Sequence, residues 1–171
     1  MQNILYNPAQ IHSRVDKISN HLNGLYNHEN EDSIVLAPVL QGAVSFFADI
    51  ARNLTFDPYV EYIGVSSYQG VQQKEFHLYK MIDPKLVQDK TIWLFDDIAD
   101  SGNTLRFLTD MLMQFGAREV KTCVLLKKKH CTYPIDLVGL EMNNEWVFGY
   151  GMDGENGRGR LLNAINYNKK H

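Results

Sequence analysis

Asp96, Asp97 and Asp100 put three carboxylates into a span of five residues, and Ser101, Gly102, Asn103 and Thr104 follow with small, hydrogen-bonding side chains. Carboxylates this close repel one another unless a cation or a set of sugar hydroxyls compensates them. The run behind them suits an anion. Residues 100–104 offer backbone N–H groups and hydroxyls, and Leu105, Leu108 and Leu112 then recur at helical spacing, so a helix N-terminus with its partial positive charge points back at the turn. Such a cradle fits a monophosphate. The plainer alternative is that Asp100 or Ser101 only caps the helix. A Walker A loop and the three-glycine dinucleotide fingerprint are both absent from the chain.

The elements that must hold these groups are legible. Ile92-Trp93-Leu94-Phe95 is a continuous apolar run, as in a strand buried on both faces of a parallel sheet, and it sets Asp96 and Asp97 at its carboxyl end, where open α/β sheets bind ligands. A second strand, turn and helix follow the same pattern, with Ile34–Leu40 leading through Gln41-Gly42-Ala43 into a helix over Val44–Leu54. Asn7 and Pro8 form a helix start, and Ile11, Val15, Ile18 and Leu22 carry its apolar face to an end near Gly24. Further strands are predicted over Tyr59–Ser67, Leu78–Ile82, Glu119–Leu126, Ile135–Met142 and Glu145–Tyr150. The polar stretch from Ser67 to His77, tipped by Gly70, reads as a loop, mobile or an ordinary surface hairpin.

The 171 residues suit one domain, and 44% hydrophobic with 22% charged residues is an ordinary globular composition. A formal net charge of −3 gives no basic excess for nucleic acid, so an anionic ligand must be met by local groups and a metal. No apolar run is long enough for a bilayer, and Cys123 and Cys131 are read as reduced thiols in a cytoplasmic setting. Cys123 reads as a small core residue, and His12 and His21 as solvated helix residues; the six histidines lack metal-ligand spacing.

FDDIADSGNTL, residues 95–105, resembles the motif that binds phosphoribosyl pyrophosphate (PRPP) in type I phosphoribosyltransferases. The likeness extends to the hypoxanthine phosphoribosyltransferase family over nearly everything from Ile34 to Ile165. It implies an α/β fold, a mainly parallel sheet flanked by helices, in a single domain over residues 1–171. The core would span about 30–140, and a small hood would come from the N-terminal helix and residues 141–171. The implied reaction transfers 5-phosphoribose from PRPP to a 6-oxopurine, hypoxanthine and also guanine, giving the nucleotide and pyrophosphate with Mg2+ as cofactor.

By the same resemblance, Asp96 and Asp97 hold the ribose hydroxyls directly or through metal, and Asp100 takes the proton from purine nitrogen 7. Ser101, Gly102, Asn103 and Thr104 bind the phosphate. The Gln41–Gly42 turn and Arg160 bind pyrophosphate, with Arg158 as the alternative arginine. Gln41 stands where the family usually has lysine, so one cationic charge is missing. Lys128 reads the 6-oxo group, Trp146 stacks on the base, the Val147 backbone reads its edge, and Asp153 holds magnesium. Trp146 replaces the commoner Phe, and Asn143-Asn144 replaces Pro-Asp. Taken without the resemblance, Lys127-Lys128-Lys129 is a solvated charge run and Trp146 is core packing. Ser67 and Tyr68 match the head of the family's flexible loop, and the family's habit implies a homodimer or homotetramer. Alternatives are a xanthine-preferring enzyme, a non-catalytic nucleotide-binding regulator on the same fold and, from another class, a receiver-type signalling domain.

Overall fold

In the computed structural model, residues 2–69, 74–154 and 157–168 are described. Strand β6 (Thr91–Ala99) lies between β2 (Ile34–Leu40) and β7 (Glu119–Lys128), parallel to both. Outside β7 comes β8 (Leu137–Met142), also parallel. On its other edge β2 pairs in parallel with β3 (Tyr59–Val60) and then with β4 (Ile63–Gln69). The single strand expected over Tyr59–Ser67 is therefore interrupted, although Glu61 N–H still donates to Leu36 O at 3.0 Å. β5 (Lys74–Lys80) closes this edge antiparallel to β4.

The apolar run of β6 alternates between two cores, as the period of a strand requires. Trp93 and Phe95 pack with Leu36, with Ile11, Val15, Ile18 and Leu22 of α1 (Pro8–Leu25), and with Phe46, Phe47 and Ile50 of α2 (Val44–Ala51). Ile92 and Leu94 pack on the opposite face with Val35 and Ala37 and with Leu105, Leu108 and Leu112 of α3 (Asn103–Gln114). Each fully buried side chain of this kind contributes about 1.5 to 3 kcal/mol, which is why continuous hydrophobicity selects a central strand with helices on both sides. α1 opens as expected: Asn7 accepts from Gln10 N–H and the Gln10 side chain accepts from Asn7 N–H, a reciprocal cap. α2 is shorter than the pattern suggested and ends at Ala51, before Leu54. α3 ends at Gln114, and Gly116, just past its C-cap Phe115, has a φ of 90° in the left-handed region.

A second, three-stranded antiparallel sheet is built from β1 (Gln2–Tyr6), β10 (Ile165–Asn168) and β9 (Val147–Phe148) in that order. The N-terminal contribution to it is strand β1, while α1 lies over the main sheet. Neither β1 nor β10 was legible, since each is a short segment and they pair with each other across more than 150 residues of chain, with Asn3 opposite Tyr167. The strand expected over Glu145–Tyr150 contracts to two residues because Gly149 and Gly151 turn the chain with φ of 101° and 99°.

Much of the polar stretch read as a loop is paired strand. Ser67 lies opposite Phe76 and Tyr68 opposite Glu75, and residues 70–73, the tip of the expected loop, lie outside the described residues. The missed signal is alternation: Phe76 and Leu78 are partly buried while His77 and Tyr79 are exposed, and Phe76 stacks on Phe107 of α3 with ring centroids 4.7 Å apart.

Candidate active site

β6 does not stop at Phe95 but continues through both acids to Ala99, so Asp96 and Asp97 are strand residues held by the β7 ladder. Asp96 is 8% exposed and Asp97 is half-buried. Burial and the neighbouring Asp97 carboxylate push Asp96 well above the usual carboxylate range. Burial raises Asp97 too, opposed by its hydrogen bond with Asp96, by N–H donors and by the Arg160 charge. Asp96 Oδ1 accepts from Asp97 N–H at 3.0 Å and Asp97 Oδ1 from Ile98 N–H at 2.8 Å.

This strain has a measurable sign. A buried acid whose folded pKa is raised costs nothing below the ordinary carboxyl value and destabilises increasingly as pH rises through the interval up to the folded value. Asp96→Asn keeps the acceptor for Asp97 N–H and removes the charge. Its Tm should therefore equal that of the native protein near pH 3 and exceed it at pH 7 by roughly 2 to 4 °C, the shift expected per 1 kcal/mol in a domain of this size. Thermal unfolding at both pH values checks it; equal Tm values at pH 7 would show that the pair is already compensated.

After Ala99 the chain bends through Asp100 and Ser101 to Gly102, the residue that precedes α3. Gly102 is at φ 81°, and a Cβ there would lie 2.3 Å from Tyr133 Cβ, so both conformation and space demand glycine. The capping alternative fails for Asp100. No side chain caps α3 through its N-cap residue; Ser101 Oγ accepts only a long 3.4 Å bond from Asn103 N–H, while the Asp100 carboxylate turns to β7 instead. There Lys128 Nζ lies 3.3 Å from Asp100 Oδ2 and His130 Nε2 2.8 Å from Oδ1. The Lys128 side chain is only 12% exposed, which removes it from the class of solvated charge runs. Asn103 and Thr104 begin the helix, whose first-turn N–H groups face the bend.

A second cluster lies against Asp97. A Cβ at Gly42 would sit 1.8 Å from Asp97 Oδ2, so the Gln41–Gly42 turn, entered through a cis peptide between Leu40 and Gln41, presses its backbone on that carboxylate. Gly151 in turn packs on Gly42: a Cβ there would lie 2.6 Å from Gly42 O. Arg160 donates from Nη1 to Gly151 O at 2.6 Å and pairs through Nη2 with Asp153 at 3.1 Å. Arg158 enters through its backbone, its carbonyl accepting from Gly154 N–H at 2.7 Å, and its side chain is exposed. Tyr150, whose hydroxyl donates to Asp49 of α2 at 2.5 Å, fastens the whole segment to the main sheet's helices. Gly151 and Tyr150 were missed because nothing local marks them; the contacts span more than 100 residues of chain.

Trp146 is 57% exposed, which excludes core packing, and Val147 lies beside it in β9, the edge strand of the small sheet. The chain's return from β8 brings this segment to the acids, since Lys128 pairs with Met142 and His130 Nδ1 lies 2.6 Å from Asn144 Oδ1. Ser67 and Tyr68 remain in β4, as described. His12 and His21 are exposed and Cys123 is buried in the core, as their sequence settings suggested.

A mainly parallel sheet whose central strand ends in two acids, a glycine bend and a helix N-terminus is the architecture of a nucleotide- or sugar-phosphate-binding protein. Residues 2–155 match the phosphoribosyl transferase domain, and the chain belongs to the phosphoribosyltransferase family. Within it, the chain is 33% identical to a hypoxanthine-guanine phosphoribosyltransferase of Aquifex aeolicus over 161 residues, 91% of this chain and 89% of the relative. Among solved structures it is similar to a hypoxanthine-guanine phosphoribosyltransferase from Bacillus anthracis, with a TM-score of 0.83 at 29% identity over 98% of this chain and 99% of the other. A hypoxanthine phosphoribosyltransferase from Trypanosoma cruzi, in complex with the product IMP, matches with a TM-score of 0.82 at 26% identity over 96% of this chain and 92% of that one.

Proposed function

We propose that the protein transfers 5-phosphoribose from PRPP to hypoxanthine or guanine, releasing pyrophosphate, in purine salvage. The observation that carries this reading is the Asp100 carboxylate, freed from capping and set between α3's N-terminus and the largely buried Lys128. The 5-phosphate lies on Ser101, Gly102, Asn103 and Thr104, and the ribose hydroxyls on Asp96 and Asp97. Asp96, with its raised pKa, is suited to donating as well as accepting a hydrogen bond there. Gly42 and Gln41 backbone groups and the Arg160 guanidinium receive the pyrophosphate, whose charge grows as the bond to carbon 1 breaks. Lys128 donates to the 6-oxo group, Val147 presents the backbone of an edge strand to the base, and Asp100 takes the proton of nitrogen 7 as the base attacks. Ser67 and Tyr68 head the segment that closes over the centre and excludes water.

Among the described residues no three His, Cys, Asp or Glu side chains converge as a metal cage. That fits Mg2+, which is commonly held by one or two carboxylates plus substrate phosphates. Asp153, with Asp96 and Asp97, supplies hard oxygen donors of the right kind, and the ion when bound would neutralise diphosphate charge. A cytoplasmic setting is supported by the free thiols Cys123 and Cys131. A homodimer or homotetramer is supported by the exposed Val44, Leu161 and Leu162, which line one groove beside Arg160.

The direct test is nucleotide formation from PRPP and Mg2+ with hypoxanthine, guanine and xanthine offered separately. Product with hypoxanthine or guanine supports the reading, product with xanthine alone reassigns the substrate, and binding without turnover makes the protein a regulator. Trp146 supplies a second prediction. Trp146→Ala should weaken purine binding by roughly 1 to 3 kcal/mol, the range for base stacking on an aromatic ring, while PRPP affinity changes far less. Titration of both ligands checks this; equal weakening would remove Trp146 from the base site.

A further inference from the structure

His130 was singled out by nothing in its local sequence, yet it makes the shorter of the two contacts to the Asp100 carboxylate, 2.8 Å against 3.3 Å for Lys128. The contacts are also divided. Lys128 holds Oδ2 and His130 holds Oδ1, and the far side of the imidazole is fixed by Asn144 at 2.6 Å. Asp100 is 55% exposed on a bend and caps no helix through its side chain, so the carboxylate's orientation rests on these two cationic or donating groups. Lys128 is required elsewhere in the reaction. An ammonium shared with the 6-oxo group of a purine holds Asp100 less firmly than one committed to it, at the moment when the carboxylate must accept a proton.

We propose that His130, braced by Asn144, is a positioning residue that holds Asp100 Oδ1 and so presents Oδ2 to the purine nitrogen while Lys128 turns to the base. This rests on the reading of Asp100 as the proton acceptor. The brace works in either charge state of the ring. With the amide oxygen of Asn144 facing Nδ1, both ring nitrogens carry hydrogens; with the amide turned over, its NH2 donates to Nδ1 and the neutral ring still donates through Nε2 to Asp100. The hydrogen bond to Asp100 is thus kept across the pH range in which a free histidine changes charge.

The variants are His130→Ala, His130→Gln and Asn144→Ala, each measured for Tm, for kcat at saturating PRPP and hypoxanthine, and for the KM of PRPP, alongside Asp100→Asn and the double variant. Since 1 Å of misplacement can cost about 100-fold, His130→Ala should lower kcat by about 10-fold or more with Tm and the PRPP KM unchanged. Glutamine, which can donate from a similar reach, should restore part of the loss, and Asn144→Ala should lose part of it. In the Asp100→Asn background His130→Ala should cost nothing further, because the group it positions no longer takes a proton. Native kcat in His130→Ala, or an equal loss with and without Asp100, would overturn the inference while a collapsed Asp100→Asn leaves the catalytic reading standing. Native turnover in Asp100→Asn would overturn both.

Discussion

Asp100→Asn is expected to fold and melt like the native protein and to turn over about 100-fold to 10,000-fold more slowly at saturating substrates, the usual cost of removing a general base. The amide matches the carboxylate in size but has no basic lone pair at neutral pH. The stability half of the expectation follows from the structure. Asp100 does not cap α3, its carboxylate is 55% exposed, and its pair with the 47% exposed His130 is a class of contact worth little in water, so the pair with the largely buried Lys128 is the one to be kept. The amide oxygen still accepts from Lys128, and the amide NH2 can donate to Nε2 of a neutral His130 ring, so the bend is kept. Melting and saturated rate must be measured on one preparation, because a fall in both would describe damage to the bend and not loss of a base. A stable variant turning over at the native rate would remove Asp100 from the chemistry and leave the purine proton to solvent.

The parts of this site that the sequence displayed are those whose cause is local. A run such as Ile92–Phe95 can only be satisfied between two apolar layers, Asn7-Pro8 carries its own cap, and Gly102 precedes a helix at a bend that takes a positive φ. The extent of β6 past Phe95 was missed because Asp96 and Asp97 look like the end of a strand; pairing with β7 from Thr91 to Ala99 overrides their low strand propensity. β1 and β10 were missed for the opposite reason, since they are five and four residues long and acquire strand character only by pairing with each other and with β9. The likeness to a known family named Arg160 and Lys128 but not what surrounds them. Gly151 against Gly42, Tyr150 on Asp49 and His130 on Asp100 are contacts made by closure of the chain, and their residues carry no spacing that would disclose them.

Removal of magnesium is expected to abolish turnover, by more than about 100-fold, since a developing diphosphate charge must be matched by fixed positive charge in the site. The protein's own supply there is small. Gln41 brings no charge, Arg160 is the cation that acts on Asp97, and that same guanidinium is already paired with Asp153 at 3.1 Å. Asp96 and Asp97 add no positive charge to the same corner, and burial raises both because ionising them there is costly without a compensating cation. Chelator followed by graded Mg2+ should restore the rate along a saturation curve. Asp153→Asn should move its midpoint to higher Mg2+, because one hard oxygen donor becomes neutral and Arg160 loses its carboxylate partner. Undiminished turnover in excess chelator would mean that Arg160 and the Gly42 backbone suffice, and the acid pair would then have to act on the ribose hydroxyls alone.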